Sequence, residues 1–244
     1  MKSNKLRELL KENKPTLGTH VLIPWPGIFE IIGKTGIFDY IEYSSEYSSF
    51  TLPLLDDLGR AIELFPEMSS MIKVEEQAKG FVTTRALDAG IQNILFADFR
   101  SPEEVREGIR FVRAETPEDG GVHGCSLRRN TPDLSEIGTE AWVKAMRDVV
   151  IAIMIEKKSA MDRLEEILSI QGVDMVQFGP GDYSITVGKP GQGGSAEIQA
   201  VQERMIKMAL EKGVAPRVEI ATWEQAKPFI EMGVRHFCIG WDID

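Results

Sequence analysis

The feature that most constrains this fold is an alternation of short apolar runs with helix-favouring segments, repeated eight times along the chain. Strand-like runs at 16–23, 39–44, 71–74 and 93–98 lead to helical patterns at 27–35, 52–65, 77–88 and 101–114. Further runs at 149–155, 174–178 and 218–220 lead to helical patterns at 160–170, 196–212 and 222–232, and 236–240 closes the series. The runs VVIAIMI, DMVQF and HFCIG are continuously apolar, as strands covered on both faces must be. Strict alternation predicts a parallel sheet, and eight units in 244 residues predict a closed (β/α)8 TIM barrel forming one domain over residues 1–244. Gly36, Gly90, Gly213 and Gly233 stand where left-handed helix C-caps are needed, and Ser101 with Glu104 has capping-box spacing.

Two irregularities interrupt the pattern. Residues 115–132 are rich in Gly and Pro with little periodicity, which predicts a functional or mobile loop. The eighth helix is missing from the sequence, which stops at Asp244 directly after the eighth strand.

The formal net charge of -10 argues against nucleic acid and anionic membranes as partners. Cys125 and Cys238 lie far apart without CxxC spacing and are expected to be reduced thiols. The N-terminus is charged and helical with no apolar core of a signal peptide, and no run approaches ~18 apolar residues. A cytoplasmic location is the expectation.

In such a barrel the reacting groups lie at the C-terminal strand ends. Those ends offer His20 or Trp25, the cluster 42–47, Lys73 and Glu75, Asp98, Glu156, the turn Gly179-Pro180-Gly181-Asp182, Glu219 and Asp242. With three histidines in the chain, a His-rich zinc site is disfavoured. Glu156 ends a strongly apolar strand, where a carboxylate needs a partner or a cation. Asp182 follows one strand later, so both can converge on one hard ion such as Mg2+ or Mn2+, with Gly179 and Gly181 exposing backbone N–H groups to an anion. Spacing leaves an alternative open: capped strand ends paired with lysines such as Lys157. Lys73 is read either as a point charge for a carboxylate or enolate oxygen, or as a surface partner of Glu75 or Glu76.

The run GVDMVQFGPGDYS, preceded by IMIEKKSAMDRLEEIL, resembles the signature of the HpcH/HpaI aldolases, class II pyruvate-type aldolases. KPTLGTHVLI, GIFDYIEYSSEY and RALDAGIQNILFADFRSPEEVREGIRFVR extend the resemblance over nearly the whole chain. It implies that Glu156 and Asp182 are metal ligands, with Mg2+, Mn2+ or Co2+ as the ion. It further implies that the segment 179–182 receives the carboxylate of a 2-oxo acid and that the ion stabilises an enolate. Asp88 matches an acidic residue at a subunit contact near the site. Such proteins are typically hexamers whose last helices exchange between subunits, so a homo-oligomer, trimer or hexamer, is expected.

The departures concern proton transfer. Where the family has Asp-Gly-Glu-His after the second strand, this chain has Ser44-Ser45-Glu46-Tyr47. The family's arginine is Lys73, a glutamine is Met154, a pocket leucine is Glu219 and a first-strand aromatic is His20. The expected catalytic candidates are therefore Tyr47, His20, Lys73 and Glu46, with Glu219 joining Gly179, Pro180, Gly181 and Asp182 in substrate recognition. The leading expectation is a metal-dependent carbon–carbon lyase acting on a 2-oxo acid. A decarboxylase, hydratase or isomerase using the same enolate, and a catalytically silent binding protein, are the alternatives.

Overall fold

A computed structural model describes residues 2–126, 129 and 133–243. The elements are α1 (Lys5–Lys11), β1 (Thr16–Val21), α2 (Pro26–Thr35), β2 (Tyr40–Tyr43), α3 (Leu52–Glu63), β3 (Ser69–Val74), α4 (Lys79–Asp88), β4 (Asn93–Phe96), α5 (Pro102–Val112) and α6 (Glu140–Arg147). They continue as β5 (Val150–Ile155), α7 (Lys158–Asp162), α8 (Leu164–Leu168), β6 (Met175–Phe178), α9 (Pro180–Thr186), α10 (Ala196–Glu211), β7 (Ala215–Ile220), α11 (Ala226–Glu231) and β8 (His236–Trp241). The eight strands are parallel and close in sequence order, β8 pairing with β1. This is the α/β barrel that the alternation predicts. No helix follows β8 among the described residues.

Period-two alternation along each strand divides the apolar residues into two sets. Ile41, Ile72, Ile94, Ile151 and Val176 point outward into the layer shared with the helices. Tyr40, Met71, Leu95, Ala152, Met154 and Met175 fill the barrel interior, together with Leu6 of α1. Gly18 makes room for the Tyr40 ring: a Cβ there would lie 2.2 Å from it. α1 closes the N-terminal face. Its cap residue Asn4 donates to Asn93 Oδ1 at 2.8 Å, and Arg7 forks onto both oxygens of Asp174 at 2.6 Å. Access to the interior is therefore from the C-terminal ends of the strands.

The caps follow their residue types. Gly36, Gly90, Gly213 and Gly233 all have positive φ, between 64° and 101°. Ser101 Oγ accepts from Glu104 N–H at 3.3 Å, and the Glu104 carboxylate accepts from Arg100 N–H at 2.7 Å. The helix expected at 160–170 is two short helices separated at Arg163, and 222–232 begins as a 3-10 turn.

The described residues 115–126 of the excursion do not line the cavity at the strand ends where chemistry is expected. It leaves the C-terminus of α5, and a helix of this fold runs back to the opposite face of the barrel. His123 is buried there, its ring 3.1 Å from the Phe111 carbonyl and stacked obliquely near Trp142. Residues 127, 128 and 130–132 of the excursion, and Asp244, lie outside the described residues. Asp88, at the end of α4, is buried within its own chain with Arg85 at 3.1 Å. Both cysteines are free, Cys238 buried and Cys125 exposed. No helix among the described residues is long and apolar enough to cross a membrane.

Candidate active site at the barrel mouth

The inward-facing residues of the last strand layer meet in a cavity of about 250 Å³, whose walls include Tyr47, Lys73, Glu156, the turn 179–182, Glu219 and Trp241. Alternation explains the membership. On β5 the inward positions run Ala152, Met154, Glu156, and on β7 they run Arg217, Glu219.

Glu156 is 2% exposed. Its Oε1 accepts the Asp98 N–H at 2.7 Å, a geometry reached because Asp98 adopts positive φ. Among the described residues no hydrogen bond meets Oε2 and no cation forms an ion pair with this carboxylate. Burial raises its pKa from 4.5 to about 7, against the opposing pull of the Asp98 amide and Lys73. Gly179 is required beside it, since a Cβ there would lie 2.6 Å from Glu156 Oε2.

Asp182 sits in the first turn of α9. Lys157 holds it at 3.2 Å and Asp98 at 2.6 Å, so the pairing with Lys157 that spacing left open applies to Asp182 and not to Glu156. Within the turn, the Gly179 N–H is already bonded to the Ile155 carbonyl at 3.1 Å and Pro180 has none. The amides of Gly181 and Asp182 belong to a helix start and meet no acceptor among the described residues. The loop after α9 folds back over them: a Cβ on Gly193 would lie 3.3 Å from Gly181 N. That approach was invisible in the sequence beyond the repeated glycines at 188–194.

Lys73 is buried and donates to the Tyr47 hydroxyl at 2.8 Å, with Glu46 Oε2 at 2.5 Å. It does not pair with Glu76, which binds Arg100. Burial would lower the ammonium pKa, but Tyr47 and Glu46 outweigh it and hold it above the ordinary value. A protonated lysine is a charge and a donor, not an amine nucleophile, so Schiff-base chemistry finds no support here. The Tyr47 ring is 57% exposed, yet its hydroxyl is tucked against Lys73. Desolvation of the hydroxyl pushes its pKa up to about 12, overcoming the lysine. The phenol therefore keeps its proton at neutral pH.

Beneath the cavity lies a polar layer with a fully buried arginine at its centre. Arg217 donates to Tyr40 Oη at 2.6 Å, to Gln177 Oε1 and to Glu42 Oε2. It partners Glu42 rather than Glu219. Glu219 takes the Gln177 amide at 3.0 Å and His20 Nε2 at 2.5 Å. His20 is 1% exposed, stacked on Trp241 at 4.2 Å and set behind Glu219, so it does not line the cavity. Burial would lower the imidazole, but Cys238, Glu42 and the bond to Glu219 outweigh it and hold it at about 11. Burial likewise acts to raise Glu219, but the hydrogen bond and charge of His20 prevail, aided by Arg217 and Lys73, and hold it at about 2. Arg217 and Gln177 were not anticipated as site residues. The available signal was their place two residues before Glu219 and Gly179 on the same strand faces.

Two sets of side chains could hold a metal. His20, Glu42 and Cys238 bring ligand atoms within 4.8 Å of one another, all buried. That mixed nitrogen, oxygen and sulfur set suits a softer ion. Its Glu42 already carries the Arg217 guanidinium, and its His20 nitrogens face the Gly240 carbonyl and Glu219. A cation there would compete with a fixed positive charge. Glu156 and Asp182 instead offer hard oxygen donors on one open cavity; among the described residues Glu156 forms no ion pair, while Asp182 keeps Lys157 at 3.2 Å. That pair fits Mg2+ or Mn2+.

The sequence profile described as HpcH/HpaI aldolase/citrate lyase matches residues 54–243. The 4-hydroxy-2-oxo-heptane-1,7-dioate aldolase of Escherichia coli is 28% identical over 244 residues, covering 98% of this chain and 89% of that protein. The hydroxypyruvate/pyruvate aldolase of Delftia acidovorans is 25% identical, covering 99% of this chain and 87% of that one. An HpcH/HpaI aldolase from Desulfitobacterium hafniense has the same fold, with a TM-score of 0.87 at 24% identity over 99% of this chain and 92% of that one.

Proposed function

The chain belongs to the HpcH/HpaI aldolase/citrate lyase family, and on that premise we propose that it is a divalent-metal-dependent carbon–carbon lyase acting on a small 2-oxo acid. The observation that carries this reading is Glu156: a buried carboxylate with no ion pair among the described residues, facing the same cavity as Asp182, Lys73 and Tyr47. Glu156 and Asp182 would hold the ion. When bound, it supplies Lewis acidity toward the 2-oxo carbonyl and charge to offset a developing enolate.

The chain's own residues divide the remaining work. The Gly181 and Asp182 amides at the start of α9 donate to the substrate carboxylate. Lys73 places a permanent positive charge where negative charge grows, and its bond to Tyr47 orients the phenol. In the bond-forming direction Tyr47 donates its proton to the nascent alkoxide oxygen and is left as phenolate, and in cleavage the phenolate form takes that oxygen's proton back. A phenol with pKa raised to about 12 suits that acid role better than a base role. Glu46 anchors Lys73, and His20 positions Glu219; neither is assigned a proton transfer.

Calorimetry with Mg2+, Mn2+ and Co2+ tests the ligands. Glu156→Ala and Asp182→Ala should each abolish binding while leaving the fold intact, and unchanged affinity in both would overturn the assignment. Mass-spectrometric analysis of a panel of 2-oxo-4-hydroxy acids tests the reaction. Two carbonyl fragments identify the lyase. A single product of lost carbon dioxide, lost water or unchanged mass identifies a decarboxylase, hydratase or isomerase, and tight oxalate binding without turnover identifies a silent binding protein.

A further inference from the structure

Glu219 stands in the cavity wall with each of its two oxygens approached from behind by a side-chain nitrogen. Oε1 faces His20 Nε2 at 2.5 Å and Oε2 takes the Gln177 amide at 3.0 Å. Both donors are themselves immobilised: His20 is stacked on Trp241 with Nδ1 3.1 Å from the Gly240 carbonyl, and Gln177 is bonded to Arg217. A carboxylate offers about four acceptor directions, so about two remain for whatever enters. The side chain is 36% exposed, and it faces the cavity. This is a rigid acceptor presented to a ligand.

We propose that Glu219 reads a hydroxyl on carbon 3 of the substrate, so that the preferred nucleophilic partner is a 3-hydroxy-2-oxo acid rather than one ending in a methyl group. The proposal rests on the enolate reading above. Strand order supplies the geometry. With the substrate carboxylate on the β6 turn, β5 with Glu156 lies on one side and β7 with Glu219 on the other. Neighbouring strands lie about 4.8 Å apart, within reach of a group on carbon 3. A methyl there would strip water from the carboxylate and return no hydrogen bond, whereas a hydroxyl donates one. Sites built this way discriminate by leaving a polar group unpaired when the wrong ligand binds. Proton abstraction by Glu219 is disfavoured, because His20 keeps it a weak base.

The test is deuterium exchange at carbon 3 of pyruvate and of hydroxypyruvate in D2O with Mg2+, followed by mass spectrometry. This reports enolate formation without any aldehyde acceptor. Wild type should favour hydroxypyruvate, and in Glu219→Leu the hydroxypyruvate-to-pyruvate ratio of kcat/KM should fall by about tenfold or more. Glu219→Gln, which keeps the shape and one acceptor, should retain part of the preference and controls for folding. Equal or faster exchange of pyruvate in wild type, or an unchanged ratio in Glu219→Leu, overturns the assignment while leaving the enolate reading standing. Exchange with neither donor overturns the enolate reading, and this proposal with it.

Discussion

Replacing Glu156 by Gln should stabilise the metal-free protein, and by an amount that grows with pH. The side chain is nearly isosteric and keeps an oxygen for the Asp98 amide, so the main change is removal of the buried charge. Its carboxyl has an ordinary value of 4.5 and about 7 in the fold. Because the folded value is the higher one, ionisation opposes folding. The penalty is absent below 4.5, grows between 4.5 and 7, and is complete above 7. At about 1.4 kcal/mol per tenfold change, wild type should carry a penalty of about 1 kcal/mol at pH 5 and about 3 kcal/mol at pH 8. Guanidinium denaturation in EDTA at both pH values measures the gap between wild type and Glu156→Gln. Adding Mg2+ or Mn2+ at pH 8 should then raise the stability of wild type and not of the variant, since only the carboxylate binds the ion. A gap that does not widen with pH would refute the reasoning, because it would mean that Glu156 is solvated or paired in the fold.

Three further outcomes follow from the same geometry. Tyr47→Phe should lower turnover by roughly 10²-fold or more with metal affinity unchanged, and full turnover in steady-state assays would make the ring a packing element. Arg217→Met leaves Glu42 buried without its partner and should destabilise the fold by about 3–5 kcal/mol in denaturant titrations; a loss under about 1 kcal/mol would show that water enters the layer. Trp223 and Ile230 are 57% and 48% exposed along an apolar groove with Leu17 and Phe237. Light scattering should therefore find a homo-oligomer, trimer or hexamer, and a well-folded 27.3 kDa monomer would contradict this.

The sequence by itself determined the barrel and the pair of carboxylates at its mouth. Alternating apolar periods specify strands and helices locally, and covered parallel strands admit few arrangements, so eight such units lead to one architecture. Glu156 was legible because a carboxylate ending VVIAIMI is anomalous in an apolar run, and Asp182 because Gly-Pro-Gly marks a turn. What only the tertiary structure decided is which charge meets which. Lys157 pairs with Asp98 and Asp182, and among the described residues no cation forms an ion pair with Glu156, a choice among groups on three strand ends. Arg217 turns to Glu42 across the barrel and releases Glu219 to His20, although Arg217 and Glu219 share one face of one strand. His20, a reasonable proton-transfer candidate at a strand end, lies behind Glu219 because Trp241 stacks upon it. The reason is physical: apolar patterning is a property of each segment, whereas ion pairing in a barrel depends on side chains far apart in the chain, as His20 and Glu219 are, that converge from different strands.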